Sequence, residues 1–429
     1  MSSTAAMFEE DPILLCLVIA ILLATILVRT YSSRSGPVRD VSPNPSSPPT
    51  QLALPASLSK RSPGQWIPMD FKAPDPPPYP DWDVKTTKPL PYRPFKYGPT
   101  YFVTMGLRKG NLDDWIELDN EYLKFHAIKK ERIESRGDSL CKTAPEALDA
   151  AIELLELLCD YLPKRYPSMF TKTGVGVDNI ITNESFNITQ RPLLEEPMRT
   201  IGRLIQDDIA IMVEGSDGLS YLKSGSIILP GFWKLEEKFN MNLSDIHTSG
   251  DVPQFREKLE RGMVNFFKRV MPDDMVIRHN VSLNLSIRDF KNLQFPQYFM
   301  QVDDGLAWSH SIGPEDSPHV GWFTAEKDKV VENHWFRSER QTLRRLPRSG
   351  GVVFTIRTYF HPVTEVAKEP YVPGRLASAI RSWGDDVAKY KGSEKYKSIL
   401  LNFLDQENEK QIDLGLISEG GESHLKYPY

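Results

Sequence analysis

Arg337, Arg340, Arg344, Arg345 and Arg348 crowd one short stretch of this 429-residue chain. Guanidinium forks at that density suit carboxylate or phosphate groups, which they grip through paired N–H donors. A solvated sheet edge guarded against aggregation accounts for them equally well, and on the residues alone both readings stand. Paired carboxylates occur at Asp303-Asp304 and Asp385-Asp386. The first pair closes a strand and the second opens a helical stretch, so turn and capping duties explain them better than acid–base work. The eight histidines include His310 and His319, whose spacing matches no metal-ligand pattern. A Gly-rich phosphate loop, a zinc-binding HExxH helix, a CxxC pair and a GxSxG elbow are all missing from the sequence.

The periodicity predicts the elements that must position these residues. Trp115, Leu118, Tyr122 and Phe125 share one face of a helix expected from Asn111 to about Ser135. Thr143 and Pro145 open a second helix that Pro163 stops. A third spans about Val252 to Val270, and two more lie near Arg375–Tyr390 and Lys395–Asp405. A period of two marks strands at Ile209–Val213, Tyr221–Leu229, Tyr298–Val302, Trp335–Leu343 and Val352–Tyr359. Turn signals at Asp217-Gly218 and Ser349-Gly350-Gly351 suit antiparallel meanders, and no strand–helix alternation appears. The expected class is α+β, an antiparallel sheet flanked by helices.

The chain holds two kinds of material. Eighteen of its 34 prolines fall in the first 100 residues. After a 1–12 tail, Ile13 to Val28 is an unbroken apolar run, and residues 13–31 are expected to form one transmembrane helix in the lipid bilayer. Glu9, Glu10 and Asp11 precede it and Arg29, Arg34 and Arg39 follow, so the bulk of the chain is expected to face the cytosol as a single-pass membrane protein. The five Asn-x-Ser/Thr triplets, starting at Asn183, Asn187, Asn242, Asn280 and Asn284, are then expected to go unglycosylated. Three cysteines exclude a disulfide framework, and a net charge of −5 gives no sign of a nucleic-acid partner. Residues 32–90 read as a Pro-rich stalk without a packed core, so a chain starting near Pro91 is expected to be as stable as a longer one. Residues 91–405 form the folded domain and 406–429 a tail.

Several stretches resemble the haem-dependent oxidative N-demethylase alpha-subunit-like family, particularly its fungal branch. They are PYRPFKYGPTYFVTMGLRKGNLDDWIELDNEY from residue 91, GSIILPGFWKLEEKFNMNLSDIHTSGDVP from 225, RSERQTLRRLPRSGGVVFTIRTYFHP from 337 and YVPGRLASAIRSWGDDVAKYKG from 371. The resemblance implies a PAS-like α+β fold that binds haem. It also implies use of O2 and of electrons from a separate reductase to remove a methyl group from a small amine as formaldehyde. One departure stands out. The family's Arg-x-Asn-aromatic element is split after Arg278-His279-Asn280, because the seventeen residues Val281–Gln297 precede Tyr298. That segment reads as an insertion or a retained in-frame intron, the surface loop being the alternative.

The resemblance makes His247, in the family's Ile-His segment, the candidate axial haem ligand and metal-binding residue. A turn-capping histidine is the alternative. Arg278, Arg340 and Arg357 are candidates to hold haem propionates, since Arg–carboxylate pairs are strong and directional. Glu339 and Tyr298 are candidate catalytic groups, steering protons or a cationic amine, with a Glu339 ion pair to an arginine on an adjacent strand as the plainer reading. Arg344, near its strand's end, reads as a lone surface charge. Three functions stay open: a haem monooxygenase, a non-catalytic PAS-like haem or small-ligand sensor, and a lumenal glycosyltransferase. The third rests on the single span and Pro-rich stem, with Asp81-Trp82-Asp83 as its only DxD-like element.

Overall fold

Alternating apolar and polar residues around a Gly350-Gly351 turn build a long hairpin at the centre of a computed structural model. It describes residues 61–90, 92–95, 98, 101–229, 233–285, 300–303, 306–309 and 330–418. Gly350 takes a φ of +76°, which an L side chain adopts only under strain. The strands are β1 (Arg108–Lys109), β2 (Cys141–Thr143), β3 (Phe170–Lys172), β4 (Gly176–Asn179), β5 (Glu184–Asn187), β6 (Asp208–Glu214), β7 (Ser220–Ser226), β8 (Val276–Leu285), β9 (Met300–Asp303), β10 (Leu306–Ser309), β11 (His334–Arg345) and β12 (Val352–Pro362). Seven of them make the main antiparallel sheet in the order β1-β8-β11-β12-β6-β7-β2. The helices that matter to it are α1 (Tyr122–Arg136), α2 (Leu148–Arg165), α3 (Pro197–Leu204), α4 (Leu243–Thr248), α5 (Glu260–Arg269), α6 (Val372–Arg381), α7 (Asp385–Tyr390) and α8 (Lys397–Asp413). The molecule is an antiparallel sheet flanked by helices, the expected α+β class.

Each sheet face has its own core. On the first, Ile209, Ile211 and Val353 pack with Trp115, Phe125 and the Leu154–Leu155–Leu158 stripe of α2. On the second, Ala210, Met212, Leu343 and Val352 pack with Leu243, Phe255, Leu259, Met263 and Phe267, from α4 to α5. β11 pairs with β8 on one side and β12 on the other, so every one of its residues is buried. Arg337, Arg340, Arg344 and Arg345 are therefore buried rather than on a solvated edge, while Arg348, in the turn beyond β11, is exposed.

Other expectations shift. The first long helix begins only at Tyr122, with a 3-10 turn over Leu112–Asp114, so Trp115 and Leu118 lie in irregular chain whose side chains nonetheless join the core. Asn111 caps that turn through its side chain, and a second bend precedes Tyr122, which is why the apolar spacing did not continue as one helix. Pro163 sits inside α2, two residues before its end. The stretch expected at Arg375–Tyr390 is two helices, α6 and α7, and α8 runs on to Asp413 past the expected boundary at 405. Val281–Leu285, the start of the suspected insertion, continues β8 opposite Ser338–His334. The stalk expectation fails over residues 61–90. Trp66 and Trp82 donate their indole N–H groups to Pro347 O and Leu118 O, each at 2.8 Å, and Tyr79 stacks on Tyr166. Proline forbids a ladder there, but aromatic side chains spaced along the segment still bury themselves on the domain. Residues 13–31 and 32–60 lie outside the described residues, among which no helix is long and apolar enough to cross a membrane.

Candidate functional site

On the first sheet face, cross-strand register sets His279, Arg340 and Arg357 in one row across β8, β11 and β12. Arg340 meets Glu117 through Nε at 3.0 Å and donates to the carbonyl oxygens of Trp115 and Asp114. Arg357 pairs with Asp119 at 2.7 Å and lies over the Phe125 ring at 4.1 Å. Burial works against both charges, but the adjoining carboxylates outweigh it and hold both guanidinium pKa values above their ordinary range. Glu117 also accepts from Tyr92 at 2.6 Å and Tyr359 at 3.3 Å. His279 stacks on Tyr92, and burial together with Arg108 pushes its pKa down to about 3. Beside the row lies Asp207, fully buried, with neither carboxylate oxygen hydrogen-bonded to any described residue. Burial pushes its carboxyl up to about 6 against the pull of Arg357, Arg340 and Lys129.

The second face is built differently. Asn242 caps α4 by accepting from Asp245 N, and one turn later His247 reaches back to Leu243 O at 2.8 Å through Nδ1. A carbonyl accepts only, so Nδ1 carries the proton and Nε2 keeps its lone pair with no partner among the described residues. The ring stacks on Phe255 at 4.9 Å between centroids, and burial, reinforced by Arg278 and Lys238, keeps it neutral by lowering its pKa. Arg278 on β8 has no hydrogen bond or ion pair to a described residue. Burial lowers its pKa, partly offset by Glu339. Tyr101 and Tyr390, both partly exposed, flank it electrostatically, and burial pushes the nearby Lys391 ammonium down to about 8. Glu339 is the carboxylate of this group, set against Arg278, Arg337 and Lys391. The region is cationic, with an imidazole lone pair beside it. Chemically it can bind an anionic group and donate one nitrogen to a metal.

The sequence candidates thus divide between faces. His247 and Arg278 come together; Arg340 and Arg357 sit on the opposite face with their guanidinium groups already bound to Glu117 and Asp119, which does not suit propionate binding. Of the two readings of His247, the turn-capping one is seen, through Nδ1, and Nε2 is left without a hydrogen-bond partner among the described residues. Glu339 is ion-paired, but to Arg337 two residues along its own strand rather than to an adjacent one. It also accepts from Gln341 and Asn280, so its oxygens are occupied. Tyr298 lies outside the described residues. Arg344 is buried, at 3% exposure, where a surface charge was expected. Sequence reasoning missed Lys391, Tyr101 and Tyr390, which sit in family-like stretches but carry no spacing signal, and missed Asp207 altogether. Among the described residues no three His, Cys, Asp or Glu side chains converge on a metal position. Residues 106–401 of the chain match the family model described as haem-dependent oxidative N-demethylase, alpha subunit-like.

Proposed function

The chain belongs to the haem-dependent oxidative N-demethylase, alpha subunit-like family, and from that premise we propose that it binds haem on the sheet face carrying His247 and acts as the haem-bearing subunit of an amine N-demethylase. One observation carries the reading: a neutral imidazole with a bare Nε2 near an arginine that makes no hydrogen bond or ion pair with a described carboxylate and is only partly offset by Glu339. The residues fit the group. Haem iron takes an axial imidazole nitrogen, and its propionates need cations. His247 Nε2 would supply the ligand and Arg278 a propionate partner, with Lys391 adding positive charge. Phe255 stacks on the His247 ring, and Phe354 and Ile356 belong to the same apolar core. When bound, haem supplies the activation of O2 that removes a methyl group as formaldehyde. The Leu243 carbonyl fixes the His247 tautomer and ring orientation, as an outer partner of a ligating histidine commonly does.

The sequence carries no flavin, nicotinamide or iron–sulfur pattern, so electrons would come from a separate reductase. A PAS-like arrangement, a small amine substrate and a bilayer anchor over residues 13–31 with the bulk in the cytosol complete the reading; a mobility shift on endoglycosidase treatment of the full chain would reverse the topology. A second reading, a haem or small-ligand sensor without turnover, draws on Glu339, whose oxygens are taken by Arg337, Gln341 and Asn280 rather than free to move protons.

The test is spectroscopic, then chemical. The full chain reconstituted with haem should show a Soret band at one haem per protein, and His247→Ala should abolish it while the fold persists by circular dichroism. An unchanged Soret spectrum and haem ratio in that variant would refute the ligand assignment. Formaldehyde release from N-methylamines with a chemical reductant separates demethylase from sensor.

A further inference from the structure

We infer that Arg344 and Trp115 form a binding site for a small oxyanion, a carboxylate or phosphate group, on the sheet face opposite His247. Arg344 is 3% exposed and Trp115 1%. The guanidinium carbon lies over the Trp115 ring, 4.7 Å from its centre, a cation–π contact. No hydrogen bond or ion pair joins Arg344 to any described residue. Its Nε and the Trp115 Nε1 are both buried donors without an acceptor.

The carboxylates that could neutralise Arg344 are committed elsewhere. Glu153 accepts from the backbone N–H groups of Arg348 and Ser349 at 2.8 and 2.7 Å. Glu117 serves Arg340, Tyr92 and Tyr359. The Tyr161 hydroxyl, on the ring packed edge-on against Trp115, donates to Asp113 O at 2.7 Å. Burial pushes the Arg344 pKa down to about 10, with Tyr161 and Glu153 offsetting it only in part.

A buried cation with open donors is unstable unless something supplies negative charge or acceptors, because desolvation is not offset. Arg340, four residues earlier on the same face, shows the alternative: it has Glu117 and two carbonyls. Arg344 has an aromatic platform and empty donors, which is how a planar oxyanion is received bidentately. The site is independent of the haem reading, since it lies on the other face and needs no iron.

The experiment uses the full chain with acetate and with inorganic phosphate, each against chloride at equal ionic strength, read by melting temperature and tryptophan fluorescence. Saturable stabilisation by one or both anions is expected, and the anion that saturates at the lower concentration identifies the ligand class. Trp115→Phe keeps a smaller aromatic ring, deletes the N–H and should raise the anion concentration at half-stabilisation roughly tenfold by melting temperature, about one hydrogen bond. Arg344→Met should fold at least as well as wild type without anion and lose the response, since a buried charge replaced by an apolar chain of similar length is commonly tolerated. If neither anion stabilises wild type beyond chloride, or if Arg344→Met binds as tightly, the site does not exist.

Discussion

Arg357 and Arg278 sit on neighbouring parts of one sheet, yet on opposite faces they live in opposite electrostatic worlds. Arg357 is enclosed by Asp119 at 2.7 Å, Glu121 at 3.6 Å and two aromatic rings. Arg278 lies near His247, Lys391 and two tyrosines, and among the described residues Glu339 is the carboxylate that offsets its charge, itself bound to other partners. The same residue type thus does two jobs. Where carboxylates were built in, the guanidinium ties strand to loop; where they were not, it is left without a bonded carboxylate among the described residues. The contrast explains why arginine density alone misleads: what matters is which arginines the fold has already satisfied.

The largest expected effect breaks the paired face. Arg357→Ala leaves Asp119 buried at the end of a broken pair, which should cost about 3–5 kcal/mol of folding stability by denaturant titration. Arg278→Ala should stay within about 1 kcal/mol of wild type, since no described partner is orphaned, and should lower haem retention instead. Equal losses from the two substitutions would erase the distinction between the faces.

A somewhat smaller effect is expected from deleting residues 1–90. Trp82 is buried against Leu118 and donates to it, Trp66 holds Pro347, and Arg165 donates to Pro77 O at 2.9 Å. Burying one large aromatic side chain is worth about 1.5–3 kcal/mol, so the shortened chain should lose at least about 3 kcal/mol. Trp82 and Tyr79 join the core of the first face, so haem binding on the second should survive wherever the shortened chain remains folded. A melting curve unchanged by the deletion would restore the free stalk.

The class of fold was legible because alternation and turn residues act locally: β6, β7, β11 and β12 lie where the period of two put them. Helix ends were less so. Trp115 and Leu118 have helical spacing with Tyr122, but caps and bends at Asn111 and Asp119 redirect the chain, and spacing does not record that. Of the site, His247 and Arg278 were legible through family-like segments. Pairing was not. Glu117 and Asp119 precede Arg340 and Arg357 by more than two hundred residues, and only the folded register shows that they neutralise them. Arg344 read as exposed because strand ends usually are; β11 continues to Arg345 paired with β12, and the Arg344 side chain lies against Trp115, so it is buried.

The smallest predicted effect concerns Asp207, a buried acid on the paired face whose oxygens bond to no described residue. Its carboxyl has an ordinary value of 3.8 and stands at about 6 in the fold, raised by burial. The folded state therefore binds this proton more tightly than the unfolded chain, and the sign follows: stability associated with Asp207 is full below about 3.8, declines as pH rises toward 6, and is flat above. Asp207→Asn removes the ionisation and keeps the shape. The variant should match wild type near pH 4 and gain on it to about 1–2 kcal/mol at pH 8, less than the full shift because the buried amide still lacks partners. Measuring the difference between the two proteins across pH cancels the titration of every other group. A gain that is constant from pH 4 to pH 8, or a loss at pH 8, would mean that Asp207 is ionised and satisfied by the Arg340 and Arg357 pair, and that the paired face has no unbalanced charge.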